Sequence, residues 1–515
     1  MLAKRVSQAV LLTALLAAVA LAEPGEAGAY SWRKVAVDAA GEMGHPISLA
    51  VDASRDPAIS SGAMTAAQAP TLKIGALLPL SGELGWIGPG LLKAAQLAAK
   101  HVNDAGGVLG GQVQILQGDT QTDPDVGVAE ALRLIDTEGV TVIVGAAASG
   151  VTVPVAENAT VPRGVLQISP SSSSPAITTL ADNDLLFRTT LSDSVQGRVL
   201  AKLARERGYQ TASTLYLNNP YGEGISDIFA EELETRGGEL LAAVPHELGQ
   251  PSYLTELQAA TAGNPDVLAA ISYPNEAIVY LTEAIQNGLI NQFLFVDGTK
   301  SQDIIDAVCT AVGAGCLDGM YGTAQGWLDT PAALAFDAAY EAEYGEPPPI
   351  YARATYDAVI LAALAAEAAG SSDSSLIRDA LRGVAGPGGE VVGLADGGIG
   401  HALDVVGLGQ DVNYEGASGC VDLDVNGDVT CGAMEIWRIE NDTIVTVRID
   451  PVWPLAVGGI AELPSLARTP SDERTAIAEG SGSSAASYAA LAAGVAGAVA
   501  AIGAGAWYAR RRWQR

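Results

Sequence analysis

Short apolar, β-branched runs alternate with alanine-rich stretches of helical periodicity from Leu72 to about Arg448. The strand candidates read LKIGALLP, QVQILQ, VTVIVG, GVLQIS, ASTLYL, VLAAIS and FLFVDG, and helical segments such as LLKAAQLAAKHVND and VGVAEALRLIDT lie between them. Strands that alternate with helices predict an α/β fold with parallel sheets. A fresh βαβ series starts near Ala212, so we expect two lobes, each a doubly wound sheet.

A run of four serines, in QISPSSSSPAI, directly follows one of these strand candidates. Open α/β sheets bind ligands beyond the carboxyl ends of their strands, so two facing lobes would form a ligand cleft. The serine run would lie at the edge of that cleft. The alternative is that these serines only form a turn.

Composition narrows the function classes. The chain has 515 residues, of which 49% are hydrophobic and 17% charged, so it can bury the cores of two or three domains. A net charge of −31 and a pI near 4.3 would repel phosphate backbones, which argues against a nucleic-acid partner.

The amino-terminal residues have the pattern of a secretory signal. Lys4 and Arg5 precede the apolar run AVLLTALLAAVALA, which ends on small residues at Ala22. We expect residues 1–22 to be a cleaved signal peptide and the protein to be exported. A membrane helix is the alternative, and residues 23–70 are expected to be a linker.

The carboxyl-terminal residues predict a membrane anchor. Residues 485–509 contain no charged residue, and the basic segment 510–515 follows at once. This pattern predicts one transmembrane helix with a short cytoplasmic tail, after a linker over 450–484. A surface helix or a removable sorting tail is the alternative.

The four cysteines form two pairs that are close in sequence. Export favours disulfides, so we expect Cys309 to pair with Cys316 and Cys420 with Cys431. Reduced, buried thiols are the alternative.

Enzyme and metal motifs are largely missing. The sequence has no H-E-x-x-H, G-x-S-x-G or Walker A pattern, and we expect no catalytic residue, cofactor or metal. DLDVNGD, residues 422–428, resembles the start of a calcium loop, but Ala433 occupies the twelfth position, where a glutamate is needed. We therefore favour a hairpin turn at Asn426-Gly427, between CVDLDV and MEIWRI.

An ordered set of motifs resembles a known family. The segments LKIGALLPLSGELGWIG, AAKHVNDAGGVLGGQVQILQGDTQTDP, VTVIVGAAASGVT, VLQISPSSSSP, LFRTTLSDSVQG, LYLNNPYGEG and YEGASGCVDLDVNGDV resemble, in this order, the solute-binding proteins of branched-chain amino acid ABC transporters. The resemblance covers residues 71–449. It implies a type I periplasmic-binding-protein clamshell that closes on one small ligand and presents it to a transporter permease.

The resemblance also implies the ligand-binding residues. It places a ligand carboxylate at Ser149, Ser171 and Ser173, with Thr152 as a further donor, and a ligand amine at Asp297. Tyr221 would cover the ligand, and the family's further tyrosine falls on Ser272, with Tyr273 one place along. Trp86, or Ile87 beside it, would form a wall of the pocket.

The resulting hypothesis is a binding receptor and not an enzyme. Lobe 1 would comprise residues 71–189 and 323–400, and lobe 2 residues 190–322 and 401–449. An amino acid or similar small amphiphile would bind between the lobes and pass to an ABC transporter. A membrane-anchored sensor with the same clamshell, or a hydrolase of amides or peptides, are the alternatives.

Overall fold

Five parallel strands form the first sheet of the computed structural model, which describes residues 71–452. Their order is β2-β1-β3-β4-β5. The three central strands β1, β3 and β4 are almost wholly buried, as expected for strands covered by helices on both faces. The strands are β1 Leu72–Leu78, β2 Val113–Asp119, β3 Val142–Gly145, β4 Leu166–Ser169 and β5 Leu186–Arg188.

A second sheet of seven strands has the order β15-β14-β10-β9-β8-β6-β7. Strands β6 to β10 are parallel, whereas β14 pairs antiparallel with both β10 and β15. These strands are β6 Thr211–Leu217, β7 Glu239–His246, β8 Val267–Ile271, β9 Phe293–Phe295, β10 Tyr321–Gly326, β14 Gly432–Glu440 and β15 Thr443–Val452. The two sheets define two lobes, which confirms the predicted parallel α/β class.

Helices connect the strands and cover both sheets. In chain order they are α1 Gly88–Asp104, α2 Pro124–Arg133, α3 Ser149–Val155, α4 Val161–Arg163, α5 Pro175–Thr178, α6 Asp193–Glu206, α7 Pro220–Thr235, α8 Leu254–Thr261, α9 Pro274–Gln286, α10 Gln302–Val312, α11 Pro331–Tyr344, α12 Ala352–Ala369, α13 Ser374–Ala385 and α14 Gly398–Gly407. Several begin at a side-chain cap. Asn219, for example, accepts hydrogen bonds from the amides of Tyr221 and Gly222 at the start of α7.

The predicted lobe boundaries differ from the observed ones. Strand β10 belongs to the second sheet, so the chain returns to lobe 1 after residue 326 and not at 323. Helix α14 and the small sheet of β11 Glu390–Val392, β12 Val412–Gly416 and β13 Gly419–Cys420 pack on α12. Residues 401–420 therefore lie in lobe 1, contrary to the expectation, because their apolar side chains extend the core around α12.

The chain thus passes between the lobes at residues 189–192, 327–330 and 421–431. Strand β15 extends to Val452, so the linker expected from residue 450 cannot begin before 453. The signal peptide, the first linker and the membrane anchor were predicted at 1–22, 23–70 and 485–509, outside the described residues. Within residues 71–452, no helix combines the length and the apolar character needed to cross a membrane.

Both expected disulfides are present, one between Cys309 and Cys316 and one between Cys420 and Cys431. The second closes a loop in which Asp424 accepts hydrogen bonds from the amides of Asn426 and Asp428. The predicted turn forms, with one antiparallel bridge between Leu423 and Val429. The predicted strand pair is wrong, because MEIWRI lies in β14 and pairs with β10 and β15.

Gly322 provides a test of packing in lobe 2. A Cβ atom there would lie 2.3 Å from Cζ2 of Trp437, whose buried indole stacks on Phe295. We expect Gly322→Ala to lower the free energy of unfolding by about 1–3 kcal/mol, because an added methyl group overpacks the core. Gly383→Ala is the control, since its Cβ would meet no atom within 4 Å inside helix α13. Urea unfolding should show Gly383→Ala to be neutral or stabilising; equal loss in both variants would contradict this account.

Candidate functional site

The carboxyl ends of strands from both sheets surround one cavity between the lobes. In lobe 1 the loops after β1, β3 and β4 reach it, and in lobe 2 those after β6, β8 and β9. Its empty space, including the open mouth, is about 420 Å³. The lining residues are Leu84, Trp86, Ile87, Ala147, Ala148, Ser149, Ser171, Ser173, Tyr221, Tyr273, Asp297, Gly298, Ile350 and Tyr351.

Alternate serines of the run face in different directions. Ser171 and Ser173 line the cavity, whereas Ser172 hydrogen-bonds inward to Thr152 at 2.7 Å. Ser174 caps α5 and donates its hydroxyl to the carbonyl oxygen of Pro220 in the other lobe, at 2.6 Å. The run therefore belongs to the wall of the cavity and also to the contact between the lobes.

The backbone of the run leaves two amides free. The amide of Ser172 donates to Ser169 Oγ at 3.0 Å, and that of Ser174 donates to Ser149 Oγ at 3.2 Å. Among residues 71–452, the amides of Ser171 and Ser173 have no acceptor. Ser171 Oγ already donates to the carbonyl oxygen of Ala147 at 2.9 Å. This part of the wall thus offers the two unused N–H groups and the Ser149 hydroxyl, which suit an anionic oxygen.

Asp297 lies on the lobe 2 side of the cavity, in a single 3₁₀ turn after β9. One carboxylate oxygen accepts hydrogen bonds from Tyr221 Oη at 2.8 Å and Gln196 Nε2 at 3.0 Å. The other accepts from Tyr351 Oη, also at 2.8 Å, and that tyrosine belongs to lobe 1. An ionised carboxylate has about four acceptor positions, so three neutral donors leave room for one more.

The tyrosine hydroxyl groups around Asp297 stay protonated and can donate hydrogen bonds. Tyr221 and Tyr273 stack with ring centroids 5.6 Å apart, and both are buried. Burial raises the pKa of Tyr221, Tyr273 and Tyr351, and the negative charge of Asp297 raises it further. These tyrosines therefore keep their protons at neutral pH.

Two of the predicted ligand-binding residues do not reach the cavity. Thr152 is fully buried and donates its hydroxyl to the carbonyl oxygen of Ala146, because it lies on the inner face of α3. Ser272 is fully buried too, since it directly follows β8 and faces the lobe 2 core. Tyr273, one place along, lines the cavity instead, and Trp86 and Ile87 both line it.

Sequence reasoning missed Tyr351, together with Ile350, Leu84, Gly298 and the alanines before Ser149. Tyr351 follows a proline run and has a positive φ of 67°, a conformation uncommon for a side chain of this size. The sequence carries no motif that links it to Asp297. The proline run was the one available sign of an unusual loop.

Asp193 is a second buried acid beside this site. It begins α6, and Gln196, one turn later, is the residue that binds Asp297. Asp193 is 1% exposed, and within the described chain its Oδ2 has no hydrogen-bond partner. Burial raises the pKa of Asp193 strongly and the charge of Asp297 raises it further, against smaller opposite effects of Ser173 and Arg188.

The pKa of Asp193 predicts a pH dependence of stability. A raised pKa means that the folded state holds the proton more tightly than the unfolded chain. The free energy of unfolding should therefore fall as pH rises from the ordinary aspartate pKa to the raised one. Asp193→Asn should remove this contribution and stabilise the protein at pH 7 by about 1–3 kcal/mol, because folding then no longer works against the ionisation of this carboxyl group.

Thermal unfolding between pH 4 and pH 8 measures this difference. Asp227→Asn serves as control, since Asp227 is exposed on helix α7 and should follow the wild type. Parallel stability curves for Asp193→Asn and the wild type would exclude the raised pKa.

Comparison with known proteins identifies relatives over the described part of the chain. A chemotactic signal transduction system substrate-binding protein, BasB of Halobacterium salinarum, is 31% identical over 358 residues, covering 68% of this chain and 83% of the relative. The leucine-, isoleucine-, valine-, threonine- and alanine-binding protein of Pseudomonas aeruginosa is 29% identical, covering 63% of this chain and 86% of the relative.

Solved structures share the fold. The leucine-binding protein LivK of Thermotoga maritima has a TM-score of 0.61 at 23% identity and covers 73% of this chain and 98% of its own. The substrate-binding protein LivJ of Streptococcus pneumoniae, in complex with isoleucine, has a TM-score of 0.60 at 25% identity, covering 75% and 100%. A solute-binding protein of R. palustris, in complex with benzoate, has a TM-score of 0.58 at 18% identity, covering 74% and 96%.

Residues 71–410 match the family described as periplasmic binding protein. This match covers more than half of the chain, and the two lobes with a cavity at their strand ends agree with it. The chain therefore belongs to the periplasmic binding protein family, whose members are solute-binding receptors and not enzymes.

Proposed function

We propose that this protein binds a zwitterionic amino acid between its lobes. Asp297 would hold the ammonium group, and Ser149, Ser171 and Ser173 would hold the carboxylate. The observation that carries the proposal is the buried Asp297 carboxylate, which accepts only from neutral donors and, among residues 71–452, forms no ion pair. A buried charge of this kind favours a ligand that brings the opposite charge.

The remaining walls support an aliphatic side chain on that amino acid. Leu84, Ile87 and Ile350 provide an apolar surface, and Ala147 and Ala148 are small enough for close contact. Apolar pockets of this kind select by shape and size. Leucine, isoleucine and valine are therefore the first ligands to examine.

Asp297 also helps to distinguish an amino acid from a simple carboxylate as the ligand, which the fold alone does not do. One protein of the same fold is a complex with isoleucine and another with benzoate. Benzoate has no ammonium group and would leave Asp297 buried without a partner, near the carboxylate of the ligand. The charge of this cavity thus supports an amino acid and disfavours a simple carboxylate.

The proposed biological role is delivery of the ligand to an ABC transporter. Contacts made in the closed form, such as that between Tyr351 and Asp297, would be sensitive to the ligand, and a permease would recognise that form. Sensing is the second candidate, because BasB, 31% identical, is a chemotactic substrate-binding protein. Neighbouring genes for permease and ATPase subunits would favour transport, and a signalling receptor or kinase gene would favour sensing.

Asp297→Ala tests the ammonium site. We expect calorimetric titration with leucine to show a loss of about 2–5 kcal/mol in binding free energy, because the variant would leave the ligand ammonium buried without its partner. The fold should be retained, because Asp297 lies in a loop turn at the cavity. Asp227→Ala, on the exposed face of α7, is the matched control and should bind like the wild type.

The paired variant Ser171→Val, Ser173→Val tests the carboxylate site. Two bulkier apolar side chains should block the approach of the ligand carboxylate to the backbone N–H groups and abolish leucine binding. A ligand without an amine would make the serine change severe and Asp297→Ala almost silent. Wild-type affinity in both variants, with intact folding, would refute the proposed site.

The terminal segments of the sequence support a proposal for where the protein is located. Family membership implies an extracytoplasmic location, and we propose cleavage after Ala22 and a membrane anchor at residues 485–509. The anchor would keep the binding lobes near a transporter or receptor. Its support is the uncharged segment followed at once by basic residues.

Membrane fractionation tests the anchor. Full-length protein should sediment with membranes, and a chain that ends near Ser471 should be exported and remain in the supernatant. The shortened chain is its own folding control, because it should bind the same ligand. Equal solubility of the two chains would remove the membrane claim.

A further inference from the structure

Arg188 lies behind the serine run and is fully buried. Its Nη1 donates to the carbonyl oxygen of Ser174 at 2.9 Å and, more weakly, to that of Ser172 at 3.5 Å. These two carbonyl groups lie on either side of Ser173, which lines the cavity. The guanidinium group therefore holds the backbone on both sides of a proposed ligand-binding residue.

Asp428 holds the other side of Arg188. Arg188 Nε donates to Asp428 Oδ1 at 2.7 Å, and Asp428 Oδ2 accepts from the hydroxyl of Thr178, also at 2.7 Å. Thr178 accepts in turn from Arg188 Nη2 at 2.8 Å. A buried ion pair with this many bonds fixes both side chains, and removal of one partner leaves the other charge unpaired.

The loop that carries Asp428 is fitted closely to β5. The amide of Arg188 donates to the carbonyl oxygen of Gly427 at 3.0 Å. Gly427 has a φ of 79°, and a Cβ there would lie 2.7 Å from the carbonyl oxygen of Leu186. The same loop is one of the three passages between the lobes, and the disulfide between Cys420 and Cys431 closes it.

We infer that Arg188, held by Asp428, is a positioning residue for the carboxylate side of the cavity. Its hydrogen bonds fix the backbone on both sides of Ser173, on the face away from the cavity. They also link this wall to two connections between the lobes, at 189–192 and 421–431. The role in carboxylate binding rests on the proposed function. The positioning of the backbone does not depend on the identity of the ligand.

Hydrogen exchange of the unliganded protein tests the positioning directly. Asp428→Asn keeps the shape of the side chain and removes its charge, and the amides of Ser172 and Ser174 are the reporters. We expect peptides over residues 170–178 to exchange about tenfold faster in this variant. Asp357→Asn is the matched control, a buried lobe 1 acid bonded to Tyr414, Ala417 and Ser418. Unchanged exchange at 170–178 in folded Asp428→Asn would overturn the inference.

Calorimetry with leucine and with leucinamide, which lacks the carboxylate, tests the consequence for binding. Asp428→Asn should weaken leucine binding about tenfold and leucinamide binding much less. Arg188→Lys should do the same, because lysine keeps the charge but not the planar set of donors. Equal losses for both ligands would show that the pair supports the fold and not the carboxylate site. Failure of the wild type to bind either ligand would count against the proposed function, and the exchange result would still decide the positioning.

Discussion

The buried carboxylate of Asp297 is the constraint on which the site depends. It accepts hydrogen bonds from Gln196 and Tyr221 in lobe 2 and from Tyr351 in lobe 1. Its position thus requires both lobes. None of these donors carries a charge, so the carboxylate is oriented without being neutralised, and the cavity retains the electrostatic free energy that a cationic group can release on binding.

The lobes also meet through contacts that need no ligand. Ser174 donates to Pro220, and Asn275 Nδ2 donates to Glu83 Oε2 at 2.6 Å. Such bonds contribute only about 0.5–1.5 kcal/mol each, because water satisfies the same groups when the lobes separate. A few weak contacts make the closed form accessible without a ligand, so a ligand with differential affinity can shift the equilibrium.

Local sequence patterns predicted most of the strands and the α/β class. They did not predict which lobe each segment joins, because that depends on long-range packing. The apolar runs identified β1 to β4, β6, β8 and β9, and all of these except the edge strand β2 are mostly buried. Strand β5 has only three residues, LFR, and ends on a charged one. Strand β7, ELLAAVPH, contains two alanines and a proline, which do not favour a strand. The assignment of 401–420 to lobe 2 was wrong because no local pattern states which core a short strand joins.

The residues of the candidate site were also predicted only in part. The position of the serine run after a strand predicted that it would lie at the edge of a cleft. Ser149, Tyr221 and Asp297 were expected from the family resemblance. Which residue of a pair faces the cavity depends on register. For that reason Tyr273 lines the cavity and Ser272 does not, and Thr152 bonds inward to Ser172. Tyr351 lies 54 residues from its partner Asp297, and only the packing of α12 brings the two together.

The two ends of the cavity differ in charge. Arg188 and Asp428 form a pair whose net charge is zero. The serine wall therefore presents its polar groups, including two unused amides, with little net electric field from the residues behind it. Within residues 71–452, Asp297 forms no ion pair. Asp193 beside it holds its proton more tightly than an ordinary aspartate because of burial. Burial thus disfavours a second negative charge at Asp193, and the carboxylate of Asp297 provides the negative charge on its side of the cavity. A zwitterion oriented with its ammonium group toward Asp297 satisfies this arrangement, and the opposite orientation would place two carboxylates together in a medium of low dielectric constant.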